Sequence, residues 1–329
     1  MAAKEKNISY EEETKLYNVD ITLTKNEQKP IKIKSVYQDS MPEGSKIGTV
    51  VALHGAPGSH NDFKYIEPLL TQNGIRTIAI NFPGFGISES LEDIEYTNDE
   101  RIECVEKTLK AIDIEENVIL MGHSRGTENA LRMATMFPKM VIGALLVNPI
   151  GLRPHRGMRP RWISIFLAIL WRWGLFKPFI VTIIKFMYEF CGIKINNTSV
   201  IEACLLTIDQ INFHEQKEYI DKLKNLNITI INAIGGKDPV IERSVSREFY
   251  SSFPNNLSLE FSNEENEEDK MIKYVRYCLK NGEKTVTSIF SKDGHFLQKH
   301  KAKFLAETAR VIFDIYSQES NNDFVTIKN

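Results

Sequence analysis

The stretch Val118-Ile119-Leu120-Met121-Gly122-His123-Ser124-Arg125-Gly126-Thr127 decides how this chain is read. Its first four residues are apolar and partly β-branched, which suits a short buried strand. Beyond it, Ala130, Met133, Ala134 and Phe137 recur at i, i+3, i+4 and i+7, along one face of a helix. Ser124 therefore stands between two glycines at a strand-to-helix turn. A turn that sharp imposes strained dihedrals and close backbone approach, and glycine tolerates both. The serine hydroxyl is lifted clear of the strand end, so in this context the Gly-x-Ser-x-Gly pattern marks a candidate nucleophile. The plainer alternative is a serine that only caps the helix.

The same grammar repeats outward from this turn. Apolar residues 48–53 run into His54-Gly55-Ala56-Pro57-Gly58-Ser59, and residues 61–70 then read as a helix. Residues 75–80 are a second buried run, ending in Asn81-Phe82-Pro83-Gly84-Phe85-Gly86-Ile87-Ser88, with helical spacing at Ile102, Val105, Leu109 and Ile112 beyond it. Residues 141–147, 228–234 and 286–290 read as further strands. They end at Asn148-Pro149, Gly235-Gly236-Lys237-Asp238-Pro239 and Asp293-Gly294-His295. Strand, loop and helix in alternation predict an α/β fold, with a mostly parallel central sheet and helices on both faces. Ahead of it, residues 15–24 and 31–36 alternate in polarity around a polar turn at 25–30, which predicts an N-terminal antiparallel hairpin. Leu305, Ala309, Ile312 and Tyr316 mark a C-terminal helix. No pattern continues past Gln318, so 319–329 is expected to be a flexible tail.

Between 152 and 225 the text changes. Arg153-Pro154-His155-Arg156-Gly157-Met158-Arg159-Pro160-Arg161 is a basic, proline-containing connector. It leads into aromatic, apolar runs at 162–171 and 179–190, and helical text resumes at Asn196-Asn197-Thr198-Ser199. A helical insertion over 152–225 is predicted, dividing a core of 1–151 and 226–318. A smaller insertion is expected near 255–284, with Glu264-Glu265-Asn266-Glu267-Glu268-Asp269 as a solvated loop and a helix over 270–279. The run 162–171 is too short to cross a membrane, which needs about twenty residues, and Arg172, Lys177, Pro178 and Lys185 interrupt any longer one. Basic Arg153, Arg156, Arg159 and Arg161 beside an aromatic helix suggest a peripheral contact with an anionic lipid surface instead.

Composition excludes several classes. With 42% hydrophobic and 26% charged residues, the chain reads as an ordinary soluble globular protein. Its net charge of -2 gives no electrostatic basis for binding nucleic acid. Cys104, Cys191, Cys204 and Cys278 form no C-x-x-C pair, which argues against zinc and redox motifs and for reduced thiols. The first residues have no apolar signal-peptide core and are too acidic for a mitochondrial presequence, so a cytoplasmic location is expected.

A nucleophilic serine needs a base with a pKa near neutrality, which points to histidine. Of the seven histidines, His54 and His123 sit inside turn motifs, and His60, His155, His214 and His300 fall in helices or linkers. His295 alone follows a strand late in the chain; a surface loop is its plain alternative. The base needs an acid to fix its tautomer. Asp238, at another strand end, is the candidate, with Asp293 as rival and an ordinary Gly-Lys-Asp-Pro turn as the plain reading. Ser124, Asp238, His295 is one of the known chain orders for such a triad. The N–H groups of Arg125, at a helix start, and of Ala56 are the candidate oxyanion donors. This chemistry requires no metal or organic cofactor.

His54-Gly55-Ala56-Pro57-Gly58, the Asn81–Ser88 loop, Gly122-His123-Ser124-Arg125-Gly126, Gly236-Lys237-Asp238-Pro239 and Gly294-His295 together resemble the α/β-hydrolase-fold superfamily, serine-nucleophile type, over about residues 15–318. The core text is similar to epoxide hydrolases and haloalkane dehalogenases, which carry aspartate where this chain has Ser124, and a poorly characterised metazoan branch is the expectation. The resemblance implies hydrolysis of an ester, thioester, amide or C–C bond. It also implies that the insertion after 141–147 is a helical cap over the serine. The apolar side chains from Trp162 to Met187 would then either line a site for a small apolar acyl or aromatic substrate or fix the cap to the core. A carboxylesterase- or lipase-like activity is the first expectation. A non-catalytic binding or scaffold protein and a C–C bond hydrolase are the alternatives. The chain departs from its relatives at Asn81, where they often have aspartate, at Thr127, where glycine is frequent, and in the long span between Asp238 and His295.

Overall fold

A computed structural model of the chain describes residues 15–24, 30–91, 93–190, 197–261 and 266–326. Residues 25–29 of the turn expected at 25–30, Cys191, Asn196, Glu264 and Glu265 lie outside these ranges. The first half runs β1 (Leu16–Leu23), β2 (Ile31–Asp39), β3 (Thr49–Leu53), α1 (Glu67–Gln72), β4 (Arg76–Asn81), α2 (Asn98–Ala111), β5 (Val118–His123), α3 (Gly126–Met136) and β6 (Val141–Val147). Four helices follow: α4 (Arg161–Arg172), α5 (Lys177–Phe190), α6 (Thr198–Asp209) and α7 (Phe213–Leu223). The chain then returns to the sheet with β7 (Thr229–Gly235), α8 (Arg243–Ser251), β8 (Leu257–Phe261), α9 (Glu267–Lys280), β9 (Thr285–Phe290), α10 (Leu297–His300) and α11 (Ala302–Thr326).

The strands form one sheet in the order β1-β2-β4-β3-β5-β6-β7-β9-β8. β2 runs antiparallel to β1 and β4, and the remaining pairs are parallel. This is the α/β-hydrolase fold, with its N-terminal antiparallel hairpin. The central strands are buried along their whole length, which is why they read as apolar runs without alternation. Successive side chains still go to opposite faces. Val51, Leu53 and Leu120 join one core with Leu109 of α2 and Ala130 of α3. Val50, Ala52, Ile119 and Met121 join the other with Leu70 of α1, Met271 of α9 and Leu305 of α11.

Four local expectations are corrected. The helix predicted over 61–70 is a 3-10 turn at His60–Phe63 followed by the short α1, because Pro68 enters a helix only in its first turn. The span after Asp238 holds α8 and β8 as well as the expected helix; β8 is a half-exposed edge strand parallel to β9, in which Leu257, Leu259 and Phe261 alternate with Ser258 and Glu260. Glu267, Glu268 and Asp269 are not a solvated loop but the first turn of α9, where carboxylates suit the helix dipole. Glu268 also accepts a bond from the Phe304 N–H at 2.9 Å, and Asp269 pairs with Lys303 at 2.7 Å. Finally, α11 does not stop near Gln318 but continues to Thr326, with Lys284 paired to Glu319 at 3.0 Å. Extending a formed helix fixes only one residue per added bond.

Candidate active site

β5 ends at His123 and α3 begins at Gly126, so the turn between them is two residues long. Ser124 sits there at φ +50°, a left-handed conformation that a non-glycine residue adopts only when its surroundings impose it. The flanking glycines show why. A Cβ on Gly126 would stand 2.1 Å from the Leu53 carbonyl oxygen, and one on Gly122 would stand 2.7 Å from the Gly126 oxygen. Thr127, the departure noted above, replaces small size with a bond: its Oγ1 donates to the Ser124 carbonyl at 2.6 Å. The Ser124 N–H donates to the Val147 carbonyl at 3.0 Å, which ties the turn to β6.

Asp238 and His295 come from the neighbouring strand ends. His295 Nδ1 lies 2.7 Å from Asp238 Oδ2, and both side chains are buried. Asp238 Oδ1 accepts from the N–H groups of Val240 (2.7 Å) and Ile241 (2.9 Å). Burial alone would raise the Asp238 carboxyl; the His295 charge and bond and the two backbone bonds outweigh it and hold the group below its ordinary value. Asp293, the rival acid, instead faces Lys301 at 3.3 Å. Among the described residues neither Ser124 Oγ nor His295 Nε2 has an intramolecular hydrogen-bond partner, so the serine and histidine are not bonded to each other. A looser serine–histidine pair is common before substrate binds.

Sequence reasoning missed the residue that joins these loops. Asn148 accepts from the Gly235 N–H at 2.7 Å and donates to the carbonyls of Gly294 (3.1 Å) and His295 (2.8 Å). One side chain thus holds the loop bearing Asp238 and the loop bearing His295 against the end of β6. The available signal is an asparagine directly after a buried strand, a residue type that tolerates the φ of +45° found here. His123 works from the other side: its Nε2 contacts the His295 carbonyl at 2.9 Å and its Nδ1 faces Gln298 Nε2 at 3.3 Å. Burial, then the His295 charge, pushes His123 down to about 3, so it is neutral and donates through Nε2.

The His54-Gly55-Ala56 loop packs directly on the elbow, for a Cβ on Gly55 would stand 3.2 Å from Ser124 Cβ. His54 Nε2 accepts from the Phe82 N–H at 3.1 Å, and burial pushes its pKa down to about 3. Asn81 also holds this region: its Oδ1 accepts from the His60 N–H at 3.0 Å. Among the described residues the N–H groups of Ala56 and Arg125 have no intramolecular acceptor. Two unpaired donors beside a serine are what an oxyanion site requires. Burial pushes nearby Asp62 up to about 7, against a bond from the Ser59 N–H and the His295 charge, so it carries only part of a charge at neutrality.

A buried polar cluster lies beside the elbow, between α3 and the segment carrying α6 and α7. Arg125 Nη1 pairs with Glu128 at 2.5 Å, its Nη2 donates to Asn98, and its Nε reaches the Thr207 carbonyl of α6 at 3.3 Å. Glu128 also accepts from Asn98 Nδ2 at 2.7 Å and from the Asn212 N–H at 3.3 Å. Burial works against both charges, raising Glu128 and lowering Arg125, and these partners oppose it. The residue that follows the serine is thereby tied to the helical segment above it. Tyr188 of α5 adds a second tie, its hydroxyl 3.5 Å from the Ala56 carbonyl.

Residues 13–314 match the family described as an alpha/beta hydrolase of unknown function (DUF1057). The chain belongs to that family. It is 32% identical over 311 residues to uncharacterized protein F35H12.5 of Caenorhabditis elegans, covering 91% of this chain and 87% of that one. Over 123 residues it is 29% identical to a 2-hydroxy-6-oxo-6-(2'-aminophenyl)hexa-2,4-dienoic acid hydrolase of Metapseudomonas resinovorans, 36% of this chain and 42% of the relative. Among solved structures, a thermophilic esterase from Thermogutta terrifontis superposes with a TM-score of 0.61 at 15% identity, over 89% of this chain and 96% of that one. A haloalkane dehalogenase, DbeA from Bradyrhizobium elkani USDA94, gives 0.58 at 15% identity, over 92% and 99%. At such identities the structures show the fold. The family and the hydrolase relative support a hydrolase.

Proposed function

We propose that this protein is a serine hydrolase that cleaves an apolar ester-like substrate through an acyl-enzyme. Ser124 attacks the carbonyl carbon, and its proton passes to His295 Nε2. Asp238 holds the imidazole in the tautomer that leaves Nε2 free and stabilises the imidazolium. The N–H groups of Ala56 and Arg125 receive the oxyanion. Losing one such donor typically costs about 3 kcal/mol of transition-state stabilisation. His295 then gives its proton to the leaving alcohol, and water attacks the acyl-enzyme by the reverse route. The observation that carries the reading is the 2.7 Å contact of His295 Nδ1 with Asp238 Oδ2, at the sheet edge that also presents the strained Ser124. The apolar preference is supported by α4–α6, whose inward side chains, Leu167, Ile180 and Leu205 among them, share one buried cluster with Ala56.

A second reading, C–C bond hydrolysis by the same triad, is favoured by the similarity to the dienoic acid hydrolase. A third, a non-catalytic member of the fold, predicts no reactive serine. Labelling with a fluorophosphonate probe separates that third reading from the first two. The wild type should label and Ser124→Ala should not. Folded wild-type protein that fails to label in a Ser124-dependent way would remove the enzyme reading. Turnover of p-nitrophenyl acyl esters against a vinylogous 1,5-diketone then distinguishes ester from C–C cleavage.

A further inference from the structure

The aromatic text of the helical segment was expected to line the site or to bind the segment to the core. Part of it does neither. Trp162, Phe166, Trp173, Phe176, Phe179 and Phe186 are each more than half exposed. All six lie on two successive helices and the turn between them. Trp162 and Phe166 stand on the outer face of α4, whose inner face buries Leu167, Ala168 and Trp171. Trp173 and Phe176 make the tip between α4 and α5. Phe179 and Phe186 continue along α5, opposite its buried Ile180 and Ile184. The tip is convex: Gly174 (φ +73°) and Phe176 (φ +56°) turn the chain back, and a Cβ on Gly174 would meet nothing within 4 Å.

Six exposed aromatic side chains concentrated on two successive helices and the turn between them mark an interaction site rather than the single scattered apolar residues of ordinary surface. Its charges indicate the partner. From 161 to 190 the sequence has one acid, Glu189, against Arg161, Arg172, Lys177 and Lys185. The arginines are engaged within the chain, Arg161 with the Ile211 carbonyl and Arg172 with Asp209. Arg153 and Arg159 of the connector are likewise paired, with Glu248 and Glu242. Within 153–190, the cations with no ion pair among the described residues are Arg156, Arg161, Lys177 and Lys185; of these Arg161 is held by the Ile211 carbonyl and Lys177 lies over the Trp171 ring. Unpaired lysines beside a protruding aromatic tip match the headgroup layer of an anionic bilayer, where aromatic rings settle and cations meet lipid phosphates. A second copy would set these lysines against their own kind under two-fold symmetry.

We propose that the outer face of α4 and α5, with the tip at 173–176, docks on an anionic membrane surface. The contact is peripheral, since among the described residues no helix is long and apolar enough to cross a membrane. α5 links this surface to the candidate site, because the helix that carries Phe179 and Phe186 outward carries Tyr188 to the Ala56 loop. Docking does not depend on the hydrolase reading and is tested without activity.

The full chain is floated with vesicles of phosphatidylcholine, alone or mixed with phosphatidylserine. Binding to the mixed vesicles should be at least about tenfold tighter than to phosphatidylcholine alone and should weaken in high salt. Trp173→Ser combined with Phe176→Ser should lower it about tenfold or more. Lys177→Glu with Lys185→Glu should remove the preference for phosphatidylserine while leaving the aromatic tip intact, so the test stands if the tip variant fails to fold. Circular dichroism checks each variant. Three results would overturn the proposal: wild type that stays unbound with the mixed vesicles, variants that bind as the wild type does, or a wild type that self-associates through this face without binding vesicles.

Discussion

The strand-end site and the outer face of α4–α5 sit in one molecule and obey opposite rules. At the strand ends the groups that hold the site together are buried and partnered: Asp238 accepts three bonds, Asn148 makes three, and Arg125 and Glu128 answer each other beside the elbow. On the outer face large apolar side chains point into water. A buried polar group is costly unless partnered, so each position in the first region is constrained by its neighbours. An exposed aromatic is constrained by nothing inside the chain. Substitutions should therefore act on stability and chemistry in the first region, and on neither in the second.

The largest expected effect is on turnover. Asp238→Asn keeps the shape of the side chain but no longer fixes the His295 tautomer or balances its charge. It should lower kcat by a factor on the order of 10⁴. Steady-state kinetics on whichever ester the wild type turns over will show it. A loss below tenfold would mean that Asp238 serves the turn and not the chemistry. Next comes Glu128→Ala, which leaves the Arg125 guanidinium buried without its counter-charge. A destabilisation of about 3–5 kcal/mol is expected from urea unfolding. A loss under about 1 kcal/mol would show that Arg125 finds another partner.

The two regions also differ in how far the sequence reveals them. The elbow was legible because its demands are local: two glycines, a buried strand before and a helical period after. Asp238 and His295 were legible as strand ends of a parallel sheet, although nothing in the sequence excluded Asp293; only the 2.7 Å contact with Asp238 separates them. Asn148 was passed over as a strand stop because its partners lie far along the chain, at Gly235, Gly294 and His295. The Arg125–Glu128–Asn98 cluster escaped for the same reason, and also because charged residues on a helix usually face water. Strand β8 escaped although Leu257-Ser258-Leu259-Glu260-Phe261 alternates strictly, because five residues within a long polar span were read as part of an insertion. For the aromatic helices, composition was plain but direction was not. A helix with apolar residues on both faces does not say which face is inward.

Acid should weaken the buried region. Burial holds His54 and His123 at about 3 and His155 at about 4, whereas in the unfolded chain they take up protons near their ordinary 6.5. Between those values the unfolded state binds more protons. The stability from keeping these rings neutral is thus full above about pH 6.5 and is lost as pH falls toward 4, with a limiting slope of about 1.4 kcal/mol per pH unit for each ring. Asp62, raised to about 7, works the other way in the same window and offsets part of it. The urea midpoint should fall between pH 7 and pH 5. A flat or rising midpoint would contradict three buried neutral histidines.

The smallest effect belongs to the outer face, and it is the sharper half of the comparison because it is a near-zero. Trp173→Ser and Phe176→Ser remove large rings that are 71% and 66% exposed, so little of the apolar area they carry leaves water on folding, and no cavity opens. The Gly174 turn and the buried Trp171 beneath it stay as they are. Each change should move stability by no more than about 0.5 kcal/mol, on the order of a few degrees or less in Tm for a chain of this size. Thermal unfolding without lipid measures it. A loss above about 2 kcal/mol would show that the tip packs against the protein in solution, and the contrast between a constrained site and an unconstrained surface would fail there. A near-zero result, set beside lost vesicle binding in the same variant, would assign these side chains to recognition alone.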